Sequence, residues 1–514
     1  SIRGYLDKPV PQELIEEILA MAMRSPSSMN TQPYYFHVIT GEPLDRIRKG
    51  NVERNLAGVP DSREFRRGEA FAGQHRDRQI GVAKQLFAAM GIARDDKAMR
   101  QDWVLRGFRQ FDALRGHFLA VKPVGNLDEN AGAIAHQRVG ADGAAVFEAA
   151  VGDWRERLGA VRCDVPPIAQ EHADAVRTAA AQVLINRDGP ALQPGPRRYT
   201  RSWIRDGVIM GAALAKCGLA DPFKRFMEWY AQFQRDDGFV FCVVDRDGAD
   251  PLVEHDSHGQ FIWGVREAHR ATDDTAFVVA CFDRVARAAG HLIALRRQRM
   301  GEHYRGGELA ACFGLLPESA SHEGYLAHPV HSYWDDFWAL RGLQAAAELA
   351  SVIGRSEDAA TWKNEADAFL RDVVRSIDSV IAARHLKYIP GSVEWADFDP
   401  TATANAVSQL DFADALPQEP LQQTFETYLE GFRRRQDPQL PWTNYSAYEI
   451  RIIGAMLRLG KRAEANELLE FFLADRRPRE WNQWPEITWR DPRSPGHLGD
   501  LPHTWIAAEY VIAL

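Results

Sequence analysis

From residue 168 onward one pattern repeats along the chain. Apolar residues recur at three- and four-residue spacing in twelve stretches: 168–187, 206–218, 221–235, 257–271, 273–298, 334–353, 357–384, 401–411, 418–433, 445–459, 461–475 and 501–513. That spacing belongs to helices that bury one face. Gly218, Gly354 and Gly460 follow three of the stretches, where glycine stops a helix. Very short turns join pairs such as 206–218/221–235 and 445–459/461–475, which makes the partners antiparallel. The expected fold is mainly α: an (α/α)6 toroid, with an inner ring of six helices inside an outer ring.

The unusual residues fall unevenly on this frame. RRYTRSWIRDG stands before the second helix, VEHDSHGQFIW before the fourth and PESASHEGYLAHPVHSYWDDFW before the sixth. PGSVEWADFDPTAT, QLPWTNYSAYE and EWNQWPEITWRDPRSPGHLGDLPHTW stand before the eighth, tenth and twelfth. Loops before odd helices, such as CGLADP and LGKRAE, are plain. In a toroid the even helices share a direction, so these six loops share one rim. Trp and Tyr offer flat faces to sugar rings, and Asp, Glu, His and Arg bond sugar hydroxyls. Glycosidic cleavage needs two carboxyl groups. Any one of these residues could equally be a core ring or a helix N-cap, as Asp206 or Asp336 would be; six loops on one rim point to a site.

The net charge of −9 is an average of unlike parts. Residues 1–113 carry 18 Lys+Arg and 15 Asp+Glu; the rest carries 44 and 56. Trp103 is the only Trp of 14 in the first part, and all five Cys lie in the second. An acidic balance argues against a nucleic-acid partner. An odd Cys count without CxxC spacing reads as free thiols in a reducing compartment. No apolar run approaches the ~20 residues of a membrane span. Ser1 in place of Met suggests a fragment or processed product; no secretory signal leads it, so the expected location is cytoplasmic. Glu254, His255, Asp256 and His258 cluster in EHDSHG but match no defined metal spacing, and DRDGAD lacks the EF-hand pattern. No metal is expected, and the oligomeric state is left open.

The first part reads as α+β. Residues 12–23 form an amphipathic helix with Leu14, Ile18 and Leu19 on one face, and YYFHVIT a strand. LDRIRKG starts a helix that Gly50 ends, and residues 76–92 form another. Residues 114–167 read as a linker or remnant with one or two strands and a short helix, FEAAVGDWRERLGAV.

The strings SIRGYLDKPV, RSPSSMNTQPYYFHVITG and AKQLFAAMGIARDDKAMRQDWVLRGFRQFDA resemble the amino-terminal half of the FMN-dependent nitroreductase family. The resemblance implies FMN, with its phosphate and ring held by Arg3, Ser27, Ser28 and Asn30. The family's carboxy-terminal half does not follow, so a truncated segment without flavin is the other reading.

The strings YTRSWIRDG, SYWDDFWALRGL and WPE…GDLPHTW, within residues 150–514, resemble the six-hairpin glycosidase superfamily, glucoamylases and trehalases among them. That resemblance implies an enzyme hydrolysing an α-linked glycosidic bond with inversion, a carbohydrate substrate and no cofactor. It implies Asp335 as general acid, with Asp336 as competitor, and Glu486 as general base, with Glu480 as alternative. The aromatic setting of Asp335 would raise its pKa, as an acid requires. Arg205 and Asp206 would grip sugar hydroxyls; Trp203, Trp334 and Trp484 would stack; His258, His322, Glu323 and His503 would line the pocket. The expected domains are 1–113, 114–167 and 168–514. The rivals are an FMN-dependent oxidoreductase, a non-catalytic carbohydrate-binding toroid and a phosphorylase.

Overall fold

The computed structural model describes residues 37–38, 41–59, 73–109, 117–118, 143–491 and 499–514. The chain divides into two compact units, residues 1–124 and 125–514. The helix expected over 12–23 and the flavin-site candidates Arg3, Ser27, Ser28 and Asn30 lie outside the described residues.

In the first unit, β1 (His37–Val38) pairs antiparallel with β2 (His117–Phe118). Helices α1 (Glu42–Leu56), α2 (Gly73–Ala89) and α3 (Lys97–Phe108) accompany them. Helix α1 does not end at Gly50 as expected. An interior glycine costs only about 1 kcal/mol, and NVERNL contains neither Pro nor a second Gly to stop the helix. The chain turns at Gly58 instead, where φ is 68°. Helix α3 opens on Asp96, whose side chain accepts from the Met99 N–H at 2.9 Å.

The second unit begins with α4 (Gly143–Arg157). Twelve helices follow: α5 (Gln170–Ile185), α6 (Ile204–Lys216), α7 (Ala220–Tyr230), α8 (Asp256–Thr272), α9 (Thr275–Arg297), α10 (Tyr333–Val352), α11 (Ser356–Arg384), α12 (Pro400–Ser408), α13 (Gln418–Arg435), α14 (Ile452–Arg458), α15 (Arg462–Ala474) and α16 (Thr504–Ala513). They correspond one to one with the twelve apolar stretches. The stretch 445–459 starts as a 3-10 turn, Ala447–Arg451, before α14. Gly218, Gly354 and Gly460 take left-handed φ of 81°, 77° and 75°, so each reverses the chain where a side chain would be strained.

Helices α6, α8, α10, α12, α14 and α16 touch in that order, and α16 touches α6, which closes a ring. Helices α7, α9, α11, α13 and α15 each back the inner helix that precedes them, and α5 lies against α16 and α6. Burial follows from this placement. Every residue of α6 from Ile204 to Leu214 is buried, as expected of a helix enclosed on all sides. Its outer partner α7 buries a single stripe, Phe223, Phe226, Met227 and Tyr230. The two mesh because α6 has Gly207 and Gly211 where the Phe226 and Phe223 rings press; a Cβ at either would overlap a ring.

Short strands brace the loops at the N-terminal ends of the inner helices. Strands β3 (Ser202–Trp203), β4 (Val243–Asp245) and β5 (Gly248–Ala249) form one antiparallel sheet; β6 (Asn444–Ser446) and β7 (Ile487–Trp489) form another. Among the described residues, no helix is long and apolar enough to cross a membrane.

Candidate active site

A cavity of about 280 Å³ opens among these loops. Pro194, Tyr199, Trp203, Arg205 and Asp206 reach it from the entry to α6; His322, Glu323, Gly324 and Trp334 from the entry to α10. Thr401 comes from α12, Tyr448 and Arg451 from the turn before α14, and Glu486, His503 and Trp505 from the entry to α16. Five of the six unusual loops therefore supply its wall.

Three carboxylates line it. Glu486 accepts from the Tyr199 hydroxyl at 2.5 Å and from the Tyr448 hydroxyl at 3.2 Å, with His503 Nε2 at 3.8 Å. Burial, then the bond to Glu486, push the Tyr199 phenol well above its ordinary pKa, so it stays a donor. Glu323 accepts from the Trp203 indole N–H at 2.7 Å. Its backbone sits at φ 61°, two residues after Ser321 at 46°. Left-handed backbone at non-glycine residues persists only where surroundings enforce it, and it concentrates at functional sites. Asp206 keeps its Oδ2 buried and, among the described residues, without a hydrogen-bond partner, 3.8 Å from Arg205 Nε. Burial raises its pKa well above the usual range; Arg205 opposes this, and the charges of Glu323 and Glu486 add to it.

The sixth loop works from behind the wall. Glu254 and Asp256 are fully buried, and Arg205 Nη1 donates to Glu254 at 2.7 Å, with Asp256 at 3.5 Å. Asp256 also accepts from the Trp334 indole at 2.7 Å and from Gln260 at 2.8 Å. Burial pushes the Glu254 carboxyl up to about 8, against the pull of Arg205. Two lining residues, Arg205 and Trp334, are thus fixed by carboxylates that do not reach the cavity. Across the wall, Arg451 pairs with buried Glu509 at 2.7 Å and lies over the Trp334 and Trp505 rings, 5.3 and 5.5 Å from their centroids.

Of the residues expected at the site, Glu486, Trp203, Arg205, Asp206, Glu323, Trp334, His322 and His503 line this one cavity. Asp335 does not. Its carboxylate is buried and accepts from the Ser319 hydroxyl at 2.5 Å and the Ser321 hydroxyl at 2.8 Å. Burial does raise its pKa, as expected, but within a closed network behind the rim. Asp336 accepts from the Leu316 N–H at 2.9 Å, which ties the preceding loop to α10 and is not a helix cap, and burial pushes it up to about 8. His258 is fully buried, its Nδ1 accepting from the Val240 N–H at 3.1 Å. Trp484 points into the core, donating to the Phe472 carbonyl at 2.7 Å with its ring 4.7 Å from that of Tyr510. Glu480 lies on an exposed 3-10 turn, Arg479–Trp481. Tyr199, Tyr448, Arg451, Thr401 and Trp505 were not singled out from the sequence. All but Arg451 stand inside the quoted loop strings, so the signal was their place on the rim rather than their residue type.

Cys312, His331 and Glu394 bring ligand atoms within 4.8 Å of one another. His331 Nε2 accepts from Arg299 at 3.1 Å and Nδ1 bonds Glu394 at 2.6 Å, so both ring nitrogens are engaged. Burial pushes the Cys312 thiol up to about 12. A guanidinium donating to one imidazole nitrogen and a carboxylate bonded to the other make this a hydrogen-bonded cluster among the described residues.

Residues 1–107 match the model of the Nitroreductase family. The nitrobenzene nitroreductase of Ectopseudomonas oleovorans is 40% identical over 114 residues, 22% of this chain and 50% of that protein. The chain spans about half the length of the curated relatives it matches. Among solved structures, a bacterial glucoamylase complexed with acarbose aligns with a TM-score of 0.54 at 15% identity, covering 76% of this chain and 61% of that one. A GH78 family rhamnosidase of Bacillus sp. GL1 aligns with a TM-score of 0.50 at 12% identity, covering 68% and 35%. The second unit therefore has the (α/α)6 fold of solved glucoamylase- and rhamnosidase-type glycosidases, and residues 1–107 carry the match to the Nitroreductase family.

Proposed function

We propose that the second unit hydrolyses an α-glycosidic bond in this cavity with inversion, Glu323 acting as general acid and Glu486 as general base. One observation carries the reading. Glu323 enters before α10 and Glu486 before α16, three places apart in a ring of six, and both line one cavity. Carboxyls on loops that face each other across a ring can flank one glycosidic bond and leave room for a water. Tyr199 and Tyr448 hold Glu486 as an acceptor, which suits a base that takes a proton from water. The carboxylate of Asp206 and the guanidinium of Arg205 line the cavity beside where sugar hydroxyls would sit, and Trp203, Trp334 and Trp505 supply ring faces. The volume, about 280 Å³, lies just below the range of small-molecule pockets, about 300–1,000 Å³. It suits one sugar unit held at a time.

The test is release of free sugar from a panel of disaccharides and aryl glycosides. Wild type should release it and Glu486→Gln should not. Sugar phosphate formed only in phosphate buffer would show a phosphorylase, and binding without turnover a non-catalytic toroid.

A second reading concerns residues 1–107, where the Nitroreductase match favours FMN binding. The flavin candidates Arg3, Ser27, Ser28 and Asn30 lie outside the described residues, and no reaction step is assigned to them. A protein that is colourless after incubation with FMN and removal of the unbound flavin excludes this reading.

A further inference from the structure

We propose that Trp395 is a stacking platform for the leaving portion of the glycoside, a sugar-binding position outside the cavity. Trp395 lies on the loop before α12 and is 50% exposed, whereas Trp203, Trp334 and Trp505 on the same rim are buried. The loop's backbone is braced on the C-terminal side of Trp395. The next residue, Ala396, is left-handed at φ 51°. The Gly391 N–H donates to the Asp397 carbonyl at 2.8 Å, and the Asp397 carboxylate accepts from Ser392 at 2.6 Å and from Tyr325 at 2.9 Å. Tyr388 donates to the Ala396 carbonyl at 3.0 Å. Such strain persists only in an over-determined setting. An exposed indole on a braced backbone, with Tyr325 against its ring, has less freedom to lose on binding.

A row of rings joins Trp395 to the cavity. Tyr325 meets it edge-on, centroids 5.2 Å apart, and stacks on His322 at 5.8 Å; His322 lies 5.2 Å from Trp334. His322 and Trp334 line the cavity. The segment bearing His322 and Tyr325 also bears Glu323. A general acid protonates the leaving oxygen, so the leaving portion of the substrate must lie on the Glu323 side. Trp395 stands on that side. The inference rests on Glu323 as the acid and adds what the departing group touches: an apolar sugar face on an indole.

The test compares two kinds of substrate with the full chain. Glucosyl, mannosyl, galactosyl and rhamnosyl fluorides have no departing sugar; disaccharides of the same sugars do. For Trp395→Ala, kcat/KM on the disaccharide should fall roughly three- to tenfold, the range an aromatic stack supplies, with the fluoride unchanged. Trp395→Tyr, which keeps a ring, should restore most of the loss. Equal loss on both substrates, or no loss on the disaccharide, overturns the platform while the proposed hydrolysis stands. No turnover of any glycoside by wild type overturns both.

Discussion

The Tyr199 hydroxyl donates to Glu486 Oε2 at 2.5 Å, so the loop before α6 orients a carboxylate that belongs to the loop before α16. A hydrogen bond to a charged group is worth about 1.5–3 kcal/mol. Tyr199→Phe should therefore lower kcat/KM by roughly ten- to a hundredfold. Tyr448→Phe, with a donor at 3.2 Å, should do less. Steady-state kinetics on the best glycoside of the panel ranks the two; equal effects would mean that Tyr199 has no special hold on Glu486.

Arg205 is enclosed with Glu254, Asp256 and Asp206. Removing one member of a buried charge cluster strands the others, at a cost of about 3–5 kcal/mol. Urea unfolding of Arg205→Met above pH 8, where Glu254 ionises, should show a loss of that size. Loss below ~1 kcal/mol would mean that the surrounding carboxyls are already neutral.

Asp335 reaches the site only through Ser319 and Ser321, which lie just ahead of Glu323. On the proposed mechanism it is a positioning residue. Asp335→Asn should reduce turnover of disaccharides, by less than Glu323→Gln does, with the glycosyl fluoride largely retained, because it loosens the loop that holds the acid. A disaccharide loss larger than that of Glu323→Gln would return the acid role to Asp335.

His258 and His255 are buried, and burial depresses both, His255 to about 4 and His258 well below 6.5. The unfolded chain takes up these protons near 6.5 and the folded chain does not. Their contribution to stability is thus complete above about 6.5 and falls as the pH drops toward 4. His258→Gln, which keeps an acceptor for the Val240 N–H, should flatten this decline. Chemical denaturation at a series of pH values checks it; parallel wild-type and variant curves would contradict it.

The ring was legible in the sequence because its two determinants are local. The 3.6-residue period marks each helix, and left-handed stops such as Gly218 and Gly460 mark each reversal. The rim was legible because unusual residues recur before every second helix. Which carboxyl of a crowded loop faces the cavity was not. Asp335 and Glu323 lie in one string, and the choice turns on helix rotation and on a left-handed backbone at Ser321 and Glu323 that spacing does not encode. Trp484 was misplaced for the same reason. It adjoins the Pro-Glu segment of Glu486 but turns back on Tyr510 in the core.

The central claim is that Glu323 and Glu486 serve one bond from facing loops. A sugar leaving group needs a proton, whereas fluoride leaves with little help. The deciding measurement is kcat/KM of Glu323→Gln on a disaccharide and on the glycosyl fluoride of the same sugar. The account predicts a loss of about 10²–10⁴-fold on the disaccharide with the fluoride largely retained. Equal retention on both substrates would contradict it.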